Sequence, residues 1–223
     1  MTTGAEKREG EAMPKAAITP QRSNGRARVA LILQAAADVI HERGYESATM
    51  SEIALRSGTK IGSLYRFFPT KELVGDALIE DYAQSSEVQW QAIIATASSA
   101  TPERLADLLL DAYIDARRKH SARAVLALLE GRADGSRRRE EFRHRNLERI
   151  GEALNANAPH LRAPTLRKMA VVMLYHMRAI MAMTFDPNAP NAPGAPEELR
   201  ISVRSWLAAR LLPHNANLKR KET

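Results

Sequence analysis

Two short helices joined by a tight turn are the feature that most constrains how this chain can fold. Thr49-Met50-Ser51-Glu52 forms a capping box, in which the Thr49 hydroxyl accepts from the Glu52 amide and the Glu52 carboxylate accepts from the Thr49 amide. This box opens a short helix that ends before Gly58, and a second short helix is predicted from Lys60 to Phe67. Because helices of this length are unstable alone, a further helix must pack across them.

The segment before the capping box supplies that packing helix. Its apolar residues recur at helical spacing and are Val29, Leu33, Ala36 and Ile40. Three such helices form a helix-turn-helix module, whose last helix can enter the major groove of DNA. We therefore predict a DNA-binding domain over residues 25–71. The groove-facing side of its last helix is predicted to carry Thr59, Lys60, Ser63 and Arg66.

The rest of the chain has the apolar periodicity of helices, with no convincing strand and no internal repeat. Helices are predicted over 71–96, 102–119, 122–130, 136–155, 165–184 and 197–211. The expected fold class is all-α, with the N-terminal three-helix domain followed by a helical bundle over 72–212. A flexible basic arm is expected over 1–24 and a basic tail over 213–223.

Composition narrows the class of protein. The formal charge of +7 at pH 7 favours an anionic partner such as nucleic acid, although basic charge also simply keeps many proteins soluble. The absence of cysteine excludes a disulfide framework and fits a reducing cytoplasm. No apolar run is long enough to span a bilayer, so we expect a soluble, cytoplasmic protein with no membrane partner.

No catalytic or metal site is predicted. His120, His144 and His160 do not have metal-ligand spacing, and no HExxH, phosphate-loop or Ser/His/Asp pattern occurs. We expect no cofactor and no enzymatic activity. The basic run from Arg132 to Arg149 is predicted to be a solvated face, with a second DNA contact as the alternative.

Four segments of the N-terminal region, in order and in spacing, carry a more specific resemblance. They are ILQAA at 32–36, ERGY at 42–45, TMSEIA at 49–54 and GSLYRFFPTKE at 62–72. Together they resemble the DNA-binding domain of the TetR (tetracycline repressor) family, over roughly a fifth of the chain. The resemblance implies a regulator that binds double-stranded operator DNA.

By this resemblance, Thr49, Tyr65 and Lys71 hold backbone phosphates. The residues that face the groove are then Thr59, Lys60, Ser63, Leu64 and Arg66. The alternative is that Tyr65 is a core aromatic and Lys71 a solvated charge; for Phe68 the core interpretation is preferred. Two positions depart from the family pattern: Lys60 stands where Ser is frequent, and Phe67, which cannot donate to a phosphate, stands where many members have His.

A stripe of methionines marks the helix predicted over 165–184. Met169, Met173, Met177 and Met181 lie at four-residue intervals, a pattern that suits either an adaptable apolar ligand site or ordinary core packing. The predicted effector pocket is lined by Tyr113, Met173, Met177 and Arg178. We expect a small-molecule effector that is apolar, or apolar with an anionic end that Arg178 would meet.

The last predicted helix carries an apolar stripe consisting of Leu199, Val203, Trp206 and Leu207. Because this stripe would be exposed in a monomer, it predicts a homodimer, and the resemblance also places the dimer interface on the last two helices. The leading hypothesis is a repressor released from a palindromic operator by its ligand. The alternatives are a ligand-independent regulator or activator, and an all-helical enzyme or scaffold.

Overall fold

The computed structural model describes residues 23–118, 124–125, 128, 137–185, 190 and 192–213. In these residues the regular secondary structure is helical, without strands. The helices are α1 (Ser23–Arg43), α2 (Met50–Arg56), α3 (Ile61–Phe67), α4 (Lys71–Ala97), α5 (Pro102–Arg118), α6 (Arg137–Asn157), α7 (Ala163–Phe185) and α8 (Ala195–Leu211). The all-α expectation is confirmed. None of the described helices has the length and apolar character needed to cross a membrane.

Several predicted features fall outside the described residues. They are His120, nearly all of the arm over 1–24 and of the tail over 213–223, and most of the helix predicted over 122–130. Within the last range residues 124, 125 and 128 are helical. Helix α1 begins at Ser23, so it includes the last two residues of the arm predicted over 1–24.

Local signals set most helix ends. Thr49 forms the predicted capping box with Glu52, and Thr70 caps α4 by accepting from the Leu73 amide at 3.4 Å. Gly58, which follows α2, has a φ of +61°, in the left-handed region that a glycine adopts without strain. Helix α7 begins two residues before the predicted Thr165, because the Arg162 carbonyl already accepts from the Thr165 and Leu166 amides.

Two hydrophobic clusters share α4. The N-terminal cluster joins α1, α2 and α3 to Val74, Leu78 and Ile79 on the first half of α4. The C-terminal cluster joins α5, α6, α7 and α8 to Trp90 and Ile93 on the second half. Since α4 has 27 residues, it is about 40 Å long. One continuous helix therefore belongs to the core of the DNA-binding domain at one end and to the core of the bundle at the other.

Ion pairs attach α4 to α6. Arg138 and Arg145 lie 3.4 and 3.6 Å from the Glu80 carboxylate, and Arg149 lies 2.7 Å from Glu87. We call these contacts the α4–α6 ion pairs. Carboxylates of α4 therefore face these three arginines. The side chain of Arg138 is still 53% exposed, as the predicted solvated face requires, whereas those of Arg145 and Arg149 are only 38% and 24% exposed.

The apolar stripe of α8 packs inside its own chain. Val203 and Leu207 are fully buried in the C-terminal cluster, and Leu199 and Trp206 are partly buried against it. The prediction that this stripe is exposed is wrong, because α8 uses it to pack on α5 and α7. The large apolar side chains that remain exposed include Val172 and Tyr175 on α7 and Ile201 on α8.

The methionine stripe is core. All four of its side chains are buried, and Met173 and Met177 have no exposed surface. Arg178 is exposed, with its guanidinium 5.8 Å from the centre of the Tyr175 ring. Placing Arg178 inside the bundle was therefore wrong, because a residue next to Met177 in a helix lies about 100° around its axis.

Candidate DNA-binding surface and effector cavity

Two ion pairs hold α2 against α1. Both terminal nitrogens of the Arg56 guanidinium donate to the Glu42 carboxylate, one of them at 2.8 Å, and Arg43 lies 3.1 Å from Glu52. The hydrogen bond from Arg56 lowers the pKa of the Glu42 carboxyl below its usual value. The turn after α2 is closed by the Thr59 amide, which donates to the Ala54 carbonyl at 3.0 Å. These contacts fix the orientation of α3 relative to α1.

The outer face of α3 is polar and accessible. Lys60 and Arg66 are exposed, Ser63 is half-buried, and Tyr65 is 47% exposed. The Arg66 guanidinium lies 5.4 Å from the centre of the Phe67 ring, so the ring supports the cation at the surface. Four of the predicted DNA-contacting side chains are therefore accessible on α3.

Two other predicted groove residues are buried. Leu64 is 0% exposed in the N-terminal cluster, and Thr59 is 6% exposed in the turn between α2 and α3. Placing either side chain at a base edge was wrong, because the packing of α3 on α1 and α2 covers that side. The same packing leaves Phe67 and Phe68 in the core.

Sequence reasoning missed two accessible positions on α3. Ile61 is exposed, and a side chain at Gly62 would meet nothing within 4 Å. Ile61 opens a seven-residue helix, where the α1–α2 core no longer reaches. An apolar side chain next to a bare backbone is suited to contact a thymine methyl group in the major groove.

Thr49 and Lys71 already have partners within the chain. The Thr49 hydroxyl is 3.0 Å from the Glu52 carboxylate and accepts from the Glu52 amide at 3.2 Å. The Lys71 ammonium donates to the carbonyls of Tyr45 and Glu46 at 2.9 and 3.0 Å. Since an ammonium has three donors, Lys71 retains one for a phosphate, and that role stays a prediction.

The Tyr45 ring lies where the DNA-binding domain meets the bundle. Lys71 of α4 lies 4.6 Å, and Arg139 of α6 5.3 Å, from the ring centre. A side-chain atom at Gly75 would stand 3.5 Å from the same ring, so the glycine allows α4 to approach closely. Burial raises the pKa of the Tyr45 hydroxyl to about 12. We call these four residues the Tyr45 junction.

A small cavity lies in the bundle between α4, α5 and α6. One face of α4 supplies most of its wall, α5 supplies two residues and α6 one. The lining residues are Tyr82, Ser86, Gln89, Trp90, Ile93, Ala112, Tyr113 and Asn146. Its volume of about 20 Å³ is room for about one water molecule. Of the predicted effector-binding residues, Tyr113 lines this cavity and Met173 and Met177 do not.

The comparisons with known proteins agree with this architecture. The family model of "Bacterial regulatory proteins, tetR family" matches residues 32–77, which span most of α1, all of α2 and α3 and the start of α4. Residues 32–77 therefore belong to a TetR-family DNA-binding domain. A curated relative, the HTH-type transcriptional repressor Rv3405c of Mycobacterium tuberculosis, is 28% identical over 191 residues, covering 83% of this chain and 89% of the relative.

Solved structures of TetR-family regulators have the same fold over most of the chain. A TetR-family transcriptional regulator from Streptomyces coelicolor has a TM-score of 0.59 at 26% identity, covering 83% of this chain and 99% of that one. AibR, solved with isovaleryl coenzyme A and operator DNA, has a TM-score of 0.60 at 20% identity, covering 82% and 99%. The all-α fold is therefore confirmed, and the family match and the repressor relative indicate a transcriptional regulator with a TetR-family DNA-binding domain.

Proposed function

We propose that this chain is a repressor that binds operator DNA as a homodimer and leaves it when a small molecule occupies the cavity beside α4. The observation that carries the proposal is the double role of α4. Its first turns are tied to the DNA-binding domain through Lys71, and its second half forms most of the cavity wall. A molecule that displaces Trp90 or Gln89 therefore shifts α4, and α3 directly precedes α4 in the chain.

On the DNA side, the outer face of α3 divides into two kinds of contact. Tyr65 and Arg66 contact phosphates. The base edges face Lys60, Ser63 and the exposed Ile61. Phosphate contacts position the protein and base contacts specify the sequence, so the two sets have different effects when they are replaced. Thr49 and Lys71 remain candidates for phosphate contacts through groups already anchored within the chain.

A single α3 reads too few base pairs for genomic specificity, so two copies must act together on a near-palindrome. The exposed side of α7 and α8 offers the surface for that dimer. Tyr175 is 63% exposed on α7, one turn after the exposed Val172, and Ile201 is exposed on α8. Aromatic residues are enriched in protein interfaces. This surface replaces the buried Val203 and Leu207 as the proposed interface.

The coupling between the two sites needs only modest energy. A ligand that changes DNA affinity 5- to 150-fold supplies about 1–3 kcal/mol of coupling free energy. On α4, Glu80, which pairs with two arginines of α6, and Lys71 and Gly75 of the Tyr45 junction precede the cavity residues, so both sets of contacts respond to a displacement of α4. The complex of AibR with a coenzyme A thioester and operator DNA, together with the repressor relative from Mycobacterium tuberculosis, supports a cytoplasmic repressor of this kind.

Fluorescence anisotropy with a labelled duplex from the region upstream of the protein's own gene tests the DNA-binding part. Lys60→Ala should weaken binding by about 1–3 kcal/mol, because a base contact is lost. It should also change the preferred sequence. The matched control is Arg104→Ala, which removes one exposed positive charge from the start of α5. Equal losses in both variants would show that only net charge matters, and no binding by the wild type at low salt would refute the proposal.

A further inference from the structure

The wall of the cavity between α4, α5 and α6 has a distinct chemistry. Six of its eight residues carry neutral hydrogen-bonding groups, namely Tyr82, Ser86, Gln89, Trp90, Tyr113 and Asn146. The other two are aliphatic, namely Ile93 and Ala112. None of the eight carries a formal charge at neutral pH. Burial raises the pKa of the Tyr82 hydroxyl to about 12, so this group is a neutral donor.

Two arginines of α6 close in sequence to Asn146 are held by carboxylates. Arg145 and Arg149 flank Asn146 on α6, but Arg145 lies 3.6 Å from Glu80, and Arg149 lies 2.7 Å from both Glu87 and Glu152. An anion that entered the cavity would therefore compete with carboxylates already bound to these arginines. A buried charge without a counter-charge is strongly disfavoured, so the wall discriminates against carboxylates and phosphates.

We infer that the effector is a small, uncharged, ring-containing molecule with its own hydrogen-bonding groups, such as a phenol or a carboxamide. This inference rests on the proposed function and names the chemical class that its cavity takes. Three aromatic rings in the wall favour a flat ring, since aromatic pairs gain from edge-to-face and offset contacts. The amides of Gln89 and Asn146 each provide donors and an acceptor for neutral polar groups.

The size of the cavity supports a small ligand over a long acyl chain. With room for about one water, the cavity must enlarge by displacing lining side chains before any ligand enters. The fully buried Met173 and Met177, which the sequence suggested for an apolar ligand, pack in the C-terminal cluster and do not line this cavity. A bulky anionic thioester such as the coenzyme A ligand of AibR is therefore excluded from the expected class.

Trp90 itself reports binding. The chain has two tryptophans, so Trp206→Phe leaves Trp90 as the sole tryptophan fluorophore while keeping an aromatic ring against His176. This full-length variant is titrated with ring compounds in pairs that differ only in charge, para-hydroxybenzamide against para-hydroxybenzoate and phenylacetamide against phenylacetate, and with isovaleryl coenzyme A. The neutral members should change Trp90 emission and bind at least about tenfold more tightly than their carboxylates.

Two variants locate the response. Asn146→Leu removes hydrogen-bonding groups from the cavity and should weaken binding of the neutral probes, whereas Asn155→Leu, on α6 outside this cavity, should not. The inference is overturned if the carboxylates or the thioester bind as tightly as the neutral probes, or if no neutral probe affects Trp90 up to millimolar concentration. A carboxylate or thioester that binds and releases the labelled operator would overturn the ligand class but leave the proposed function standing. A neutral probe that binds without releasing DNA would overturn the proposed function but leave the ligand class of the cavity standing.

Discussion

Two aspartates of α5 bind the same arginine of α8 but should differ sharply in their contribution to stability. Arg200 donates to Asp107 at 3.1 Å and to Asp111 at 2.8 Å, and Asp107 also accepts from Arg204 at 2.9 Å. The side chains of Arg200 and Asp107 are 15% and 18% exposed, whereas that of Asp111 is 49% exposed. Asp107 is thus the mostly buried centre of the contact between α5 and α8.

The magnitudes follow from these exposures. Breaking a buried ion pair costs about 3–5 kcal/mol because it leaves a charge uncompensated, and partial exposure lowers this for Asp107→Asn to about 2 kcal/mol. The exposed pair lost in Asp111→Asn should contribute about 0.5 kcal/mol. Urea unfolding followed by circular dichroism, at one fixed protein concentration, measures both variants. Equal destabilisation by the two variants, or a loss below about 0.5 kcal/mol for Asp107→Asn, would refute the reasoning.

Two further predictions address the junction and the dimer. The buried Tyr45 hydroxyl has no hydrogen-bond partner among the described residues, so Tyr45→Phe should leave the free energy of unfolding unchanged or raise it by up to about 1 kcal/mol in the same urea assay; a clear destabilisation would show that the hydroxyl is bonded. Tyr175→Asp places a charge on the proposed interface and should give a monomer mass by light scattering, whereas Val88→Asp, at an apolar side chain of α4 that is 79% exposed, should not; a dimeric Tyr175→Asp protein would argue for another interface.

The parts of the fold that the sequence predicted correctly depend on local chemistry. The capping box at Thr49 and the Thr70 cap satisfy backbone amides within three residues, and Gly58 adopts a backbone conformation that suits glycine. Such signals act over one turn of helix, so they can be identified without knowing the tertiary structure. Most helix ends in the described residues were therefore predicted to within two residues.

The errors arose where the partner of a side chain lies far away in sequence. An apolar stripe such as that containing Val203 and Leu207 fits a dimer interface and a bundle core equally well, and only the packing of α8 decides between them. Arg149 pairs with Glu87 across 62 residues, which no periodicity of α6 alone could indicate. The eight residues of the cavity come from three helices, so their common surface also emerges only in the fold.

The α4–α6 ion pairs also affect how ionic strength acts on this regulator. The paired side chains at Glu80, Arg138 and Arg145 are about a third to a half exposed, so dissolved ions screen them over a Debye length of about 8 Å at physiological concentration. Added salt weakens phosphate contacts by counterion competition and at the same time loosens the support of α4. The slope of DNA affinity against salt therefore combines bound phosphates with a change in protein conformation. The ionic strength of the solution thus affects DNA binding in two ways, in addition to the effect of the small-molecule effector.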